Sequence, residues 1–142
     1  MLKDMLDKKC LIQLDHVELT ALQEPDEDSE IKIVAKDSLT WEKKAGSICV
    51  RCTRTVDFKP ECSYKVTAAY SVEHFLKKDH ALDEIPDEEI DKEIREHIPF
   101  YIQERQGLLN RISLLIAQLT SSFNGIPMIV PPYYLEEEYN IC

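Results

Sequence analysis

The part of the chain that decides the fold is residues 106–134, which read QGLLNRISLLIAQLTSSFNGIPMIVPPYY. Between Gln106 and Gly125 the only charged residue is Arg111, although charged residues make up 31% of the whole chain. The apolar residues of this stretch recur at intervals of three and four, which is typical of an α-helix with one buried stripe. We therefore predict a long helix over residues 99–124.

The residues after this helix have a different character. Asn124-Gly125 is a typical helix stop. Three prolines follow within residues 126–134 and exclude a regular helix there. Residues 126–142 are therefore predicted to form an extended, proline-rich tail, with at most a short helical turn near its end.

The face of the long helix opposite the apolar stripe is also poor in charge. A helix face in contact with water normally carries charged residues. This face instead holds small, neutral or apolar residues: Gly107, Asn110, Leu114, Gln118 and Ser121. We predict that a second copy of the same helix covers this face across a symmetric interface. The alternative is that the C-terminal tail of the same chain covers it.

Four segments before the helix alternate between apolar and polar residues, as do strands with one buried and one solvated face. They span about 10–21, 30–43, 47–58 and 62–76. The last three are joined by two short turns, so they are predicted to form an antiparallel meander. The first segment alternates least cleanly, and we expect it to pair at one side of the meander. Residues 1–9 are expected to be a polar lead-in.

A polar, strongly charged crossover, residues 77–98, connects the strands to the long helix. Pro86 suits the first position of a helix, and the acidic residues after it favour the first turn. Ile90, Ile94 and Ile98 recur every four residues and predict one buried stripe on a short acidic helix over 86–97.

These elements predict one α+β domain over residues 1–142. Its strands lie within about 10–76, and its four-stranded antiparallel sheet is covered on the apolar face by the long helix.

The net charge of −10 argues against some functions. A nucleic-acid-binding surface needs clustered basic residues, and no basic stripe stands out. An anionic membrane surface is disfavoured for the same reason. No apolar run approaches the roughly 20 residues of a membrane span. The N-terminal residues do not resemble a secretory signal. We expect a cytoplasmic protein.

The five cysteines do not predict a disulfide framework, because their number is odd and no export signal is evident. Cys49 and Cys52 have the spacing of a metal knuckle. They lie inside a predicted strand, where an offset of three places them on opposite faces of the sheet. Structural zinc needs four ligands, and no second pair is present, so we expect neither a metal nor another cofactor.

Catalytic motifs are equally scarce. The four histidines are scattered, the nucleophile elbow of a hydrolase does not occur, and three glycines leave few loops for phosphate or an oxyanion. A hydrolase or thioesterase would also place a sheet on a long helix, but we expect no enzymatic activity.

The chain resembles the SecB family of protein-export chaperones in the order of its elements. These are four strands, a charged crossover, a long neutral helix and a proline-rich segment. The most specific part is residues 112–134. Gly125-Ile126-Pro127 stands where the family has a Gly-x-Phe-Pro-like turn, and Pro131-Pro132-Tyr133-Tyr134 stands where it has a Pro-Val-Asn-Phe-like step. The resemblance covers roughly residues 10–134.

This resemblance implies an ATP-independent holdase that acts as a dimer of dimers. Such a chaperone binds unfolded preproteins in apolar grooves and passes them to the SecA translocation motor. It also implies grooves between the crossover, the sheet edge and the segment after the long helix. The apolar residues that we expect near these grooves are Trp41, Phe58, Phe75, Leu82, Ile85, Tyr133 and Tyr134.

The chain departs from the family at two places. The family's first strand carries an Asp and a Glu four residues apart that dock the motor, and here His16 and Thr20 occupy those positions. Asp15 and Glu18 lie nearby at a different spacing and are the candidates for this contact. The family's second C-terminal helix is almost absent.

Divergent relatives act outside general export, for example by guarding an unstable antitoxin. Two alternatives are therefore a chaperone dedicated to one client and a non-catalytic adaptor that binds a folded partner through the acidic helix.

Overall fold

A computed structural model describes residues 2–26, 28, 30–78, 80–124 and 126–141. The regular elements in chain order are α1 (Leu2–Met5), β1 (Leu6–Ala21), β2 (Lys32–Lys44), β3 (Ser47–Lys59), β4 (Tyr64–Leu76), α2 (Asp87–Glu96), α3 (Leu108–Asn124) and β5 (Tyr139–Asn140). A short 3-10 turn, Leu82–Glu84, precedes α2, and a π-helical turn, Phe100–Glu104, precedes α3. No helix among these residues is long and apolar enough to cross a membrane.

The five strands form one antiparallel sheet in the order β1-β4-β3-β2-β5. The predicted meander of β2, β3 and β4 is confirmed, with β1 paired to β4. The link 22–31 therefore crosses from one side of the sheet to the other. The predicted strand count of four is one short, because Tyr139 and Asn140 in the tail pair with Ala35 and Val34 at the edge of β2. A two-residue strand is too short to show an alternating pattern.

A β-bulge explains why the first strand alternates poorly. Leu14 pairs with Tyr70, but His16 pairs with the adjacent Ala69, so Asp15 is an extra residue. An extra residue reverses which positions of a strand point inward. The residues that share the core-facing side with β4 therefore change from Ile12 and Leu14 to Val17 and Leu19.

The helices cover the apolar face of the sheet, and their buried residues form one cluster with those of the strands. The predicted stripe of α2 is confirmed, because Ile90, Ile94 and Ile98 are all buried. Most of the predicted stripe of the long helix is also buried, and its best-shielded members are Ile102, Leu108, Leu109, Ile112 and Ile116. The predicted stop at Gly125 falls outside the described residues, and α3 extends to Asn124.

The helix predicted over 99–124 is interrupted. Gly107 adopts a positive φ of 63°, a conformation that favours glycine, and it separates the π-helical turn from α3. The Leu109 amide donates to the Gln103 side-chain oxygen at 2.8 Å, which satisfies one of the free amides at the start of α3. The 17 residues of α3 span about 26 Å, against about 39 Å for the uninterrupted helix.

His74 joins three parts of the structure around this interruption. Its side chain is fully buried on β4, and its Nε2 donates to the Tyr101 carbonyl at 2.7 Å. Its Nδ1 accepts from Arg105 at 2.9 Å. Because a carbonyl accepts and a guanidinium donates, the ring is neutral with its proton on Nε2. Arg105 also donates to the Asp7 carbonyl of β1.

The N-terminal residues are not the predicted polar lead-in. Leu2 and Leu6 are 2% and 6% exposed and belong to the core cluster. The Lys77 amide donates to the Met5 carbonyl at 2.8 Å, which fixes α1 beside the end of β4.

The burial of His74 predicts a loss of stability in acid. Burial, partly offset by the hydrogen bond to the Tyr101 carbonyl and reinforced by Arg105, lowers the pKa of His74 from 6.5 to about 4. Between these values the unfolded chain binds a proton that the folded chain does not, so the unfolding free energy falls as pH is lowered from about 6.5 to 4. The loss amounts to about 3 kcal/mol.

Urea unfolding of the wild type and of His74→Asn over this pH range measures this contribution. We expect the difference in unfolding free energy between the two proteins to change across the window, because the variant cannot titrate at this position. Parallel curves for the two proteins would contradict the assignment.

Candidate functional site

A buried ion pair lies at the centre of the sheet's covered face. Asp37 of β2 and Arg54 of β3 are direct cross-strand partners at core-facing positions. The guanidinium donates from Nε and Nη2 to the two carboxylate oxygens, both at 2.7 Å. Both side chains are completely shielded from solvent. We call this bidentate pair the clamp.

The remaining hydrogen bonds of the clamp go to the segment after α3. Arg54 donates to the carbonyls of Pro131 at 2.9 Å and Tyr133 at 2.8 Å, and to the Ser113 hydroxyl of α3 at 2.8 Å. Asp37 accepts from the Leu135 amide at 2.7 Å. A buried charge is tolerated only when it is paired and hydrogen-bonded. The pair therefore fixes the sheet, α3 and the tail relative to one another.

The clamp determines which way the tail side chains point. Val130 and Leu135 are buried beneath the segment. Ile126, Ile129 and Tyr133 point away from the core and are 69%, 68% and 56% exposed. We call these three residues the tail strip. They present apolar surface from a segment whose backbone is hydrogen-bonded to the clamp at Pro131, Tyr133 and Leu135.

Other exposed apolar residues lie on β1 and α3. Leu14 and Val17 are exposed on the core-facing side of β1, and Leu114 is 60% exposed on α3. Leu11 is exposed on the opposite face of the sheet. Exposed apolar patches commonly mark binding or assembly surfaces.

The seven predicted client-binding residues do not form one surface. Tyr133 is exposed, whereas Trp41, Phe75, Ile85 and Tyr134 are half-buried. Phe58 and Leu82 are buried in the core. Phe58 packs edge-on against Tyr64, with ring centroids 4.9 Å apart. Client contact by the seven residues stays a prediction.

Two of the half-buried residues interact with α2: Trp41 with Asp91, and Tyr134 electrostatically with Arg95. Trp41 donates from Nε1 to Asp91 at 2.8 Å, and this hydrogen bond is the main cause of the lowered pKa of Asp91. Burial, followed by the neighbouring Cys52 and Asp37, raises the pKa of Tyr134.

Ile126 and Ile129 were missed by the sequence reasoning. Their exposure has no periodic signal in the sequence, because they lie in a proline-rich segment.

The predicted oligomer-interface residues share one face of α3. Asn110, Leu114 and Gln118 are exposed, and Gly107 and Ser121 are half-buried. The alternative to an interface between copies was that the tail covers this face, but residues 126–141 leave Asn110, Leu114 and Gln118 exposed.

The two candidate motor-docking residues differ in their surroundings. Asp15 lies at the β-bulge, and its carboxylate accepts from Arg51 Nε at 2.9 Å. Glu18 is exposed beside His16 and Thr20. Motor contact by Asp15 and Glu18 stays a prediction.

No protein-family model and no curated protein matches the sequence. Among solved structures, the chain is similar to the Mycobacterium tuberculosis SecB-like chaperone Rv1957, solved in complex with a ChAD peptide from the antitoxin Rv1956 HigA1. The two are 12% identical, with a TM-score of 0.66, over 92% of this chain and 91% of that one. The SecB-like fold expected from the sequence is confirmed.

The clamp predicts an unequal response of two arginines on the same strand. Arg54→Met leaves Asp37 buried without its partner and should lower the unfolding free energy by about 3–5 kcal/mol. Arg51→Met is the matched control. Arg51 also pairs with an aspartate, but its side chain is 50% exposed and that of Asp15 is 10% exposed, so the loss should be clearly smaller than for the fully buried pair. Urea denaturation measures both, and equal losses would contradict the central place given to the clamp.

Proposed function

We propose that this protein is a holdase chaperone that binds non-native polypeptides along the tail strip without ATP. The observation that carries the proposal is the exposure of three large apolar side chains on a segment fixed from beneath by the clamp. Unfolded chains expose apolar side chains that such a strip can cover. This contact requires little sequence preference.

The fixed backbone favours binding for a further reason. A surface that is already ordered loses little conformational entropy when a partner binds. The hydrogen bonds from the Arg54 guanidinium to the main-chain carbonyls of Pro131 and Tyr133 hold the segment in place before a client arrives. A single strip offers a small area, so useful affinity requires several strips acting together.

We propose a narrow client range rather than general export. The structurally similar Rv1957 is a SecB-like chaperone whose structure contains an antitoxin peptide, which supports a dedicated client here. The pairing of Asp15 with Arg51 removes one acidic side chain from the surface expected to contact the SecA motor. A cytoplasmic location and the absence of catalysis belong to the same proposal.

We further propose that the protein assembles into a dimer, or a tetramer built from two dimers. β1 lies at the edge of the sheet, and an edge strand presents backbone groups that can pair with another strand. Arg105 and Gln106 already bond the Asp7 and Cys10 carbonyls, so the pairing would use the later part of β1. Leu14, Val17 and Leu114 are exposed in the single chain. A symmetric contact between two copies would cover these residues and the neutral face of α3.

Ile129→Glu tests the client surface. Ile129 is exposed, so the substitution should leave the fold intact. A charge in the tail strip should weaken client binding roughly 10-fold, because it removes apolar contact. The measurement is the amount of protein needed to prevent aggregation of a chemically denatured client without ATP.

Thr40→Glu adds the same charge at an exposed site on β2 and is the matched control. It should protect the client as well as the wild type does. Equal protection by Ile129→Glu would exclude the tail strip as the client surface.

Leu114→Lys tests assembly. A charge on the neutral face of α3 should disfavour a contact that buries it. We expect sedimentation to show a larger species for the wild type and for Thr40→Lys, and a shift towards smaller species for Leu114→Lys. A wild-type monomer at all accessible concentrations would contradict the proposed assembly.

A further inference from the structure

The end of the chain closes one edge of the sheet. β5 pairs antiparallel with Val34 and Ala35 near the start of β2. The Ile141 amide also donates to the Ile33 carbonyl at 2.8 Å, and Tyr139 and Ile141 are half-buried against the core cluster. These bonds occupy backbone groups that an edge strand would otherwise present to solvent. Because the strand is only two residues long, backbone pairing by itself gives it little stability.

A carboxylate of the same segment lies among lysines. Glu138 forms an ion pair with Lys59 of β3 and accepts a hydrogen bond from it. That hydrogen bond and the charge of Lys59, followed more weakly by the charges of Lys36 and Lys32, lower the pKa of Glu138. Lys32 and Lys59 are direct cross-strand partners, and like charges at such positions repel. Glu138 therefore offsets a repulsion between the two strands.

A second carboxylate near these lysines has a different partner. Asp57 lies two positions before Lys59 on β3, and its carboxylate is 3.7 Å from Lys65 of β4. The charge of Asp57 is therefore shared with a further lysine. Glu138 is the acidic group that the tail itself brings to this corner of the sheet.

The segment that carries Glu138 is separate from the part of the tail that the clamp holds. Leu135 is fixed twice by Asp37. Its amide donates to the Asp37 carboxylate at 2.7 Å, and its carbonyl accepts from the Asp37 amide at 3.1 Å. Two exposed residues, Glu136 and Glu137, then connect Leu135 to Glu138. The chain can bend at these two residues without disturbing the clamp.

We propose that residues 138–141, which we call the strap, open and close over the edge of β2 while the clamp stays intact. The charges around Glu138 favour the closed strap at low ionic strength, and salt opens it by screening them. Opening uncovers the backbone of residues 33–35 and leaves Lys32 and Lys59 without their shared carboxylate. Segments with few stabilising contacts open locally while the rest of a protein stays folded. The proposal does not depend on the holdase function.

Hydrogen exchange detected by NMR tests the strap at single amides of the full-length protein. The Ile141 amide reports on the strap, and the Leu135 amide reports on the clamp. Glu138→Lys should speed exchange at Ile141 about 5-fold and change exchange at Leu135 less than about 2-fold. Lys59→Glu/Glu138→Lys restores a pair of opposite charges and should return Ile141 to within about 2-fold of the wild type.

Salt provides an independent measurement. At about 1 M salt, where the Debye length is about 3 Å, exchange at Ile141 in the wild type should approach that of Glu138→Gln. The Gln variant has no carboxylate at this position, so its own exchange should depend little on salt.

Glu137→Lys is the matched control, because it makes the same change of charge at the neighbouring exposed position. It should alter exchange at Ile141 less than about 2-fold.

Three results would overturn the proposal. One is unchanged exchange at Ile141 in Glu138→Lys, and another is equal acceleration by Glu137→Lys. The third is parallel acceleration of Ile141 and Leu135, because the tail would then open as one unit together with its contacts to the clamp.

Discussion

The ion pair between Arg54 and Asp37 is the interaction on which the functional surface depends. Two opposite charges are removed from water at the centre of a sheet, which is costly unless every donor and acceptor is used. The guanidinium and carboxylate achieve this only with α3 and the tail in place, because Ser113, Pro131, Tyr133 and Leu135 complete the set. The hydrogen bonds that the buried ion pair requires therefore fix the path of the exposed tail segment.

Much of the framework follows from the sequence because it depends on periodicity. The alternating strands, the isoleucine stripe of α2 and the neutral face of α3 are all regular patterns. The bulge at Asp15 shows where that reasoning ends, since one extra residue reverses the pattern without an obvious local signal. The sequence shows a glycine at position 107, but its positive φ could not be inferred because the apolar pattern on both sides of it is helical.

The clamp could have been found from the sequence. Asp37 and Arg54 are equally distant from the turn at Ala45 and Gly46, and both occupy core-facing positions in their strands. Opposite charges at paired buried positions predict a buried ion pair. The contacts between the clamp and the tail could not be predicted from the sequence, because the path of a proline-rich segment does not follow from a periodic pattern. For the same reason the exposure of Ile126 and Ile129 emerged only from the fold.

The sheet and its helices form a packed framework, and the C-terminal tail carries the exposed apolar residues of the tail strip. The likeness to a SecB-like chaperone establishes the architecture at 12% identity, while the proposed client binding rests on residues of this chain.

Hydrogen exchange of the protein with and without a denatured client tests the proposed surface most directly. Slower exchange should be confined to residues around 126–134, with no change at the outer-face positions near Thr40. Protection at Thr40 but not in the tail segment would contradict the account.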